Sequence, residues 1–247
     1  MFALLVGVSD YGGRTNNLPM TDEDATRLQA SLRQAGVLNP ASITLTNAEA
    51  TRESVQNAFR RIAQQIGPDD LFIFFFSGHG NQIRAVEGSN EVDGLTETIE
   101  LRDGAMTDIE LARLFGQVRG RMSLLVLDAC FSGGFEEVVS RPNIMALLSS
   151  EEDLTSEVAG RLGAGGYLSH YIRLGLTGAG DIDGDGMITA GEISTYLRRQ
   201  FRTQGEIEAT AVDRLQRNYQ NLVVRRGGVQ VDDVVLRLGS NNMASAN

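Results

Sequence analysis

A chain of 247 residues, 42% hydrophobic and 22% charged, carries enough apolar material for one substantial core. Its formal charge of −10, from 22 basic and 32 acidic residues, argues against a nucleic-acid groove or an anionic membrane surface as partner. One cysteine excludes an internal disulfide and fits a reducing compartment; with no leader and no membrane-length apolar run in the sequence, a cytoplasmic protein is expected.

Phe2 to Val8 reads as a buried strand that opens the fold with no pro-segment ahead of it, and a polar, Gly-rich loop runs from Ser9 to Leu18. Thr21 or Asp22 caps a helix to about Ala35, with Ala25, Leu28 and Leu32 on its inner face. Ile43 to Leu45 is a short strand, and Thr51 to Ile66 a second amphipathic helix (Val55, Phe59, Ile62) stopped by Gly67-Pro68. A continuous apolar strand over 71–76 enters a long polar loop from Ser77 to Leu95, and Thr96 to Leu101 reads as a hairpin arm. Thr107 to Val118 is a helix with Thr107 and Glu110 as its capping box, followed by strands over 123–128 and Ile144 to Leu148. Strands alternating with helices of this length predict an α/β sandwich around a mostly parallel sheet.

The second half is less regular. Glu151 to Gly166 is acidic, then Gly-rich, and reads as an exposed loop; Tyr167 to Leu176 and Glu192 to Phe201 are helical. The pattern weakens after Gln204, where Ala211 to Tyr219 is a candidate helix and Asn221 to Val224 and Val229 to Leu238 are closing strands. Residues 239–247 are expected to be a disordered tail.

Two strand ends carry the chemistry. The strand before Ser77-Gly78-His79-Gly80 and the strand before Ala129-Cys130-Phe131-Ser132-Gly133-Gly134 deliver an imidazole and the only thiol to what a parallel sheet makes its carboxyl edge. An unperturbed thiol is only about 3% thiolate at pH 7, so a neighbouring imidazole matters both for activating it and for protonating a leaving amine. A lone cysteine is usually a buried core thiol. Here it follows a strand and has glycines behind it, and one of just two histidines sits at a matching strand end. The other, His170, lies inside a predicted helix and reads as structural.

These residues, Ser77-Gly78-His79-Gly80 with Asp128-Ala129-Cys130-Phe131-Ser132-Gly133, resemble the caspase-like cysteine peptidases, most closely the metacaspase and orthocaspase branch. The histidine precedes the cysteine by 130 − 79 = 51 residues, close to the caspase spacing of about 50. The resemblance covers about residues 2–200 and includes Asn90-Glu91-Val92-Asp93-Gly94-Leu95 and Ile109-Glu110-Leu111. It implies a caspase-like three-layer α/β sandwich, with a mostly parallel six-stranded sheet flanked by helices. The peptidase domain would span 1–238, with a large-subunit-like half over 1–150 and a small-subunit-like half over 165–238. Cys130 would be the nucleophile and His79 the acid/base, with the backbone N–H groups of Cys130 and Gly78 as oxyanion donors.

Asp128 precedes the thiol by two residues, so strand alternation turns both side chains to one side. In metacaspases an acid at this place lines the S1 pocket and selects arginine or lysine. A second acid, in a pattern matched here by Leu18-Pro19-Met20-Thr21-Asp22-Glu23-Asp24-Ala25, falls on Asp24, and Ser77 would border the same pocket. Two carboxylates facing one guanidinium make a charge-assisted clamp; the competing reading puts Asp24 at a helix N-terminus favoured by the dipole. The resemblance therefore predicts protein substrates with exposed arginine sites, cleaved through an acyl-enzyme. Self-cleavage is expected at Arg161, or at Arg141, where Pro142 hinders it. A silent calcium-responsive scaffold and a same-clan peptidase of other P1 preference are the rivals. An activating partner and the oligomeric state are left open.

Asp181 to Glu192 fits the twelve-residue EF-hand pattern, with carboxylates at Asp181, Asp183 and Asp185, the turn at Gly186, the carbonyl of Met187, Thr189 acting through water and a closing Glu192. A Ca²⁺ ion in a structural or regulatory role is the expected cofactor, although the motif lacks the second EF-hand with which such loops pair. The resemblance also implies a separate acidic cluster near the active site, matched by Asp108, Glu97 and Glu137; Thr96 stands where that family usually has aspartate.

Overall fold

The structure is a computed structural model that describes residues 1–13, 17–85, 94–130, 132–149, 163–211 and 222–239. Among them lie strands β1 (Phe2–Gly7), β2 (Ile43–Thr46), β3 (Leu71–Ser77), β4 (Gly80–Arg84), β5 (Leu95–Leu101), β6 (Gly104–Thr107), β7 (Met122–Asp128), β8 (Ile144–Leu148), β9 (Met187–Thr189), β10 (Val223–Arg225) and β11 (Val234–Arg237). The helices are α1 (Thr21–Gln34), α2 (Arg52–Ala63), α3 (Asp108–Phe115), α4 (Glu136–Val139), α5 (Tyr167–Leu174) and α6 (Ala190–Ala211).

Six strands form the central sheet in the order β10-β8-β7-β3-β1-β2, parallel except for β10, which runs against β8. Strands 71–77 and 122–128 are buried at every position, as expected of sheets covered on both faces. Alternate residues serve opposite layers. Phe72, Phe74, Leu125 and Leu127 pack with Val55, Phe59 and Ile62 of α2 and Leu111 and Phe115 of α3. Ile73, Phe75, Leu124 and Val126 pack with Ala25, Leu28 and Leu32 of α1, Leu168 and Ile172 of α5, and Ile193 and Leu197 of α6. The result is the expected three-layer sandwich. Phe59, Phe72, Phe74 and Phe115 meet at ring separations of 5.4 to 6.1 Å and anchor the first layer.

Helix starts differ instructively. The Thr51 side chain accepts the Ser54 N–H before α2, and Thr107 with Glu110 forms the complete capping box before α3. At α1 the expected side-chain cap is absent: the N-cap is Met20 at φ 68°, because Thr21 Oγ1 donates instead to the Val8 carbonyl (2.7 Å) and Asp22 accepts from Asn47 Nδ2 (2.8 Å). Both residues tie the helix to the loop after β1.

Other expectations need correction. The polar loop expected over 77–95 contains β4, which pairs antiparallel with β5, and β5 with β6, in a separate three-stranded sheet. The exposed loop expected up to Gly166 is buried from Ala164 onward. The strand expected from Val229 shortens to β11, which pairs with β9. The candidate helix to Tyr219 has only its first residue, Ala211, among the described residues, as the end of α6; the tail has only Gly239 there. No helix among the described residues is long and apolar enough to cross a membrane.

Candidate active site

Parallel pairing puts Ser77 opposite Asp128 at the ends of adjacent strands β3 and β7. His79 and Cys130 each follow two residues later, so the register delivers imidazole and thiol to one edge of the sheet. The connection is tight. The Gly78 N–H donates to the Asp128 carbonyl at 3.3 Å, and a Cβ on Gly80 would lie 1.9 Å from the Cys130 carbonyl oxygen. Only glycine lets the two chains approach so closely. Cys130 is half-buried and His79 likewise, so the core reading of the cysteine does not apply.

Gly78 does not fit the oxyanion role expected of it, because its N–H is already spent on Asp128. Gly80 has the freer geometry. It faces Ile99 while the Glu100 N–H donates to the His79 carbonyl at 2.9 Å. Residues 80 and 99 are therefore a non-hydrogen-bonded pair, and the Gly80 N–H points away from β5.

Sequence reasoning missed Tyr11. Its hydroxyl accepts the His79 backbone N–H at 2.7 Å, and its ring lies 4.8 Å from the imidazole. Burial, the largest cause, with Glu100 and Cys130 nearby, raises its pKa far above the ordinary tyrosine value, so it stays neutral. A cue lay in the position of Tyr11, just past the carboxyl end of β1.

Asp24, Asp128 and Ser77 come together on the α1/α5 face. Ile73-Phe75-Ser77 and Leu124-Val126-Asp128 continue two apolar stripes of that face, and each stripe ends in a polar residue at the carboxyl edge. Ser77 Oγ donates to Asp24 Oδ2 (3.0 Å), and the Gly165 N–H reaches both Asp24 oxygens (3.1 Å each). The Ser169 N–H, at the start of α5, donates to Asp128 Oδ2 at 2.7 Å. Both carboxyls are about 95% buried. Burial, then the charge of Asp128, pushes Asp24 up to about 7 against the hydrogen bonds it receives. Burial raises Asp128 too, against the Ser169 N–H. Gly165 and Gly166 cross directly over the pair: a Cβ on Gly166 would lie 2.0 Å from Asp128 Oδ2, and one on Gly165 2.7 Å from Asp24 Oδ2. The helix-terminus reading of Asp24 falls short, since its carboxylate faces these partners. Gly165, Gly166 and Ser169 were missed because nothing local marks a glycine pair as a cover for acids.

The twelve-residue loop has the shape its sequence predicts. Ligand oxygens of Asp181, Asp183 and Asp185 lie within 4.8 Å of one another, and Gly184 and Gly186 take φ 77° and 81°. Glu192 Oε2 accepts from the Thr189 N–H (2.9 Å) and Oγ1 (2.8 Å), and Oε1 from the Ile182 N–H (2.9 Å). The Met187 carbonyl belongs to β9, and Ile188 is buried. Where EF-hands pair through a second loop, β9 pairs with β11, so this chain supplies its own substitute. The donor set, oxygen only and mostly carboxylate, suits Ca²⁺.

The remaining expectations fall elsewhere. His170 sits on α5, edge-on to Tyr171 at 5.0 Å, its pKa lowered by burial and then Arg173. Arg141 lies in the turn between α4 and β8, where its carbonyl accepts the Ile144 N–H at 3.3 Å. Arg161, Phe131 and the stretch 90–93 lie outside the described residues, as does the side chain of Glu137. Asp108 and Glu97 are both buried, and among the described residues they join no three-ligand group.

Comparison with known proteins bears on the family and the fold. A family model described as the caspase domain matches residues 1–210. Metacaspase-1 of Mycosarcoma maydis is 29% identical over 165 residues, covering 58% of this chain and 40% of the relative. Metacaspase-3 of Arabidopsis thaliana is 31% identical over 144 residues, covering 53% and 39%. The chain thus spans about two-fifths of the length of these relatives. In fold it matches the crystal structure of Caspase-1 from Spodoptera frugiperda at a TM-score of 0.63 and 12% identity, covering 91% of this chain and 85% of that one. Protein GSU0716 of Geobacter sulfurreducens matches at 0.63 and 20% identity, covering 96% and 99%.

Proposed function

Since the chain belongs to the caspase-domain family, we propose that it is a cysteine endopeptidase cleaving protein substrates after arginine. The observation that carries this reading is the register of β3 against β7, which presents His79 and Cys130 together beside the buried acids Asp24 and Asp128. The Cys130 thiolate attacks the scissile carbonyl, and His79 takes the thiol proton and returns it to the leaving amine. The acyl-enzyme then hydrolyses by water attack, with His79 as base. The Gly80 N–H supports the oxyanion in place of Gly78. The test is hydrolysis of fluorogenic peptides ending in arginine, lysine or aspartate. Turnover of arginine first, lysine weakly and aspartate not at all is expected; aspartate preference or no turnover overturns the reading. In the same preparation, mass spectrometry is expected to find a cut after Arg161 rather than Arg141, whose carbonyl is held in a turn; intact active protein removes self-processing.

Tyr11 positions His79 through the backbone and ring contacts. Tyr11→Phe keeps the ring and removes the hydroxyl acceptor, so kcat is expected to fall about 10-fold with KM little changed. A change confined to KM would refute the positioning role.

The loop 181–192 is the expected calcium site, with Asp181, Asp183, Asp185, Glu192 and the Met187 carbonyl as ligands and Thr189 acting through water. Bound calcium would neutralise the clustered carboxylates and stabilise the β9–β11 ribbon. Saturation at about 100 times the Kd adds about 2.7 kcal/mol of stability, read as a Tm several degrees higher in calcium than in chelator. Glu192→Gln should abolish that difference. A Tm indifferent to calcium would remove the ion from this loop.

A further inference from the structure

Three buried side-chain polar atoms among the described residues lack a hydrogen-bond partner: Thr44 Oγ1, Asp128 Oδ1 and Ser169 Oγ. Two of the three stand at one place: Asp128 lies under Gly166, and the Ser169 side chain stands beside Asp128. Their residues are joined by the Ser169 N–H, which occupies only the other oxygen of Asp128. Both residues are about 96% buried, so bulk solvent does not reach these atoms. Orphaned buried acceptors are rare and costly, and they mark strain or a missing ligand. The Ser169 hydroxyl stands close enough to both carboxyls to hold their pKa down without completing a well-aligned bond, and Gly165 and Ser77 already engage both oxygens of Asp24.

We propose that Ser169 is a specificity-determining residue whose hydroxyl, together with Asp128 Oδ1, accepts N–H groups from the guanidinium of the substrate arginine. This rests on the arginine reading of the acid pair and deepens it. A planar guanidinium carries donors on separate nitrogens and serves two neighbouring acceptors at once, whereas a lysine ammonium offers its donors from a single nitrogen. Charge alone, from Asp24 and Asp128, attracts either cation. The paired open acceptors distinguish them. Gly165-Gly166 must shift to admit the side chain, which two residues without side chains allow at little steric cost.

The test is binding of two short noncovalent ligands, a dipeptide amide ending in arginine and its lysine counterpart, measured by calorimetry on Cys130→Ala protein with and without Ser169→Ala. The alanine keeps the backbone N–H bond to Asp128 and suits a helix, and it removes an unsatisfied hydroxyl, so Tm is expected to hold or rise. Arginine affinity is expected to fall about 10- to 50-fold and lysine affinity less than about 3-fold, collapsing the preference. An unchanged ratio of the two affinities, or no binding of the arginine ligand by the Cys130→Ala parent, overturns the proposal. Peptidase activity is scored separately on wild type, so binding that depends on Ser169 without turnover sinks the activity reading alone.

Discussion

Cys130→Ala and His79→Ala should each lower turnover of an arginyl peptide by about 10³-fold or more, and the double variant should be little worse than either single one. In the proposed mechanism the two side chains act as one device. A thiol without its base is mostly protonated at neutral pH, and an imidazole without a nucleophile has nothing to activate. Their placement at equivalent positions past paired strand ends makes that interdependence geometric as well as chemical. Both variants should fold with near-wild-type Tm, since neither side chain belongs to the apolar clusters. The measurement is kcat/KM for the three proteins. Additive losses, or residual turnover above about one-tenth in either single variant, would show that the dyad does not operate as described.

The second large effect concerns the buried acids. Asp24→Asn and Asp128→Asn should each cut kcat/KM for arginyl peptides by about 10²- to 10³-fold, chiefly through KM, because each leaves a desolvated cation half-paired. Stability should move the other way. The folded-state pKa of Asp24, about 7, lies above the ordinary carboxylate value, so the native protein holds a proton that the unfolded chain releases. That contribution is fully present below pH about 4 and is lost as pH rises through about 7. Asparagine, which does not titrate, removes the loss. The Tm advantage of Asp24→Asn over wild type should therefore grow between pH 5 and 8, toward a few degrees. By the same sign, arginyl-peptide KM of the wild type should fall as pH rises through about 7, since the cation needs ionised acids. A KM flat over that range, or an Asp24→Asn protein less stable at pH 8, would contradict the assignment. The charge of Asp128 helps raise Asp24, so the profile reports both acids together.

Much of this was legible in the chain before folding. The strands at 2–7, 71–77 and 122–128 declare themselves because a doubly covered parallel strand must be apolar on both faces, which leaves a continuous run rather than an alternation. The Thr107 cap and the loop 181–192 are likewise local: their partners lie within a few residues, so spacing alone specifies them. His79 and Cys130 could be named from their positions just past strand ends. What sequence could not supply was contact across distance. Tyr11 meets His79 over 68 residues and Gly165 meets Asp24 over 141, and no local pattern encodes such pairings. The Gly78 N–H was lost to the ladder, and Gly80 turned outward, for a reason visible only in register. Residue type and periodicity determined which chemistry this chain carries and at which sheet edge. The packing of α1 and α5 across that edge decided which groups stay free, which acids lose their water and which acceptors wait unpaired.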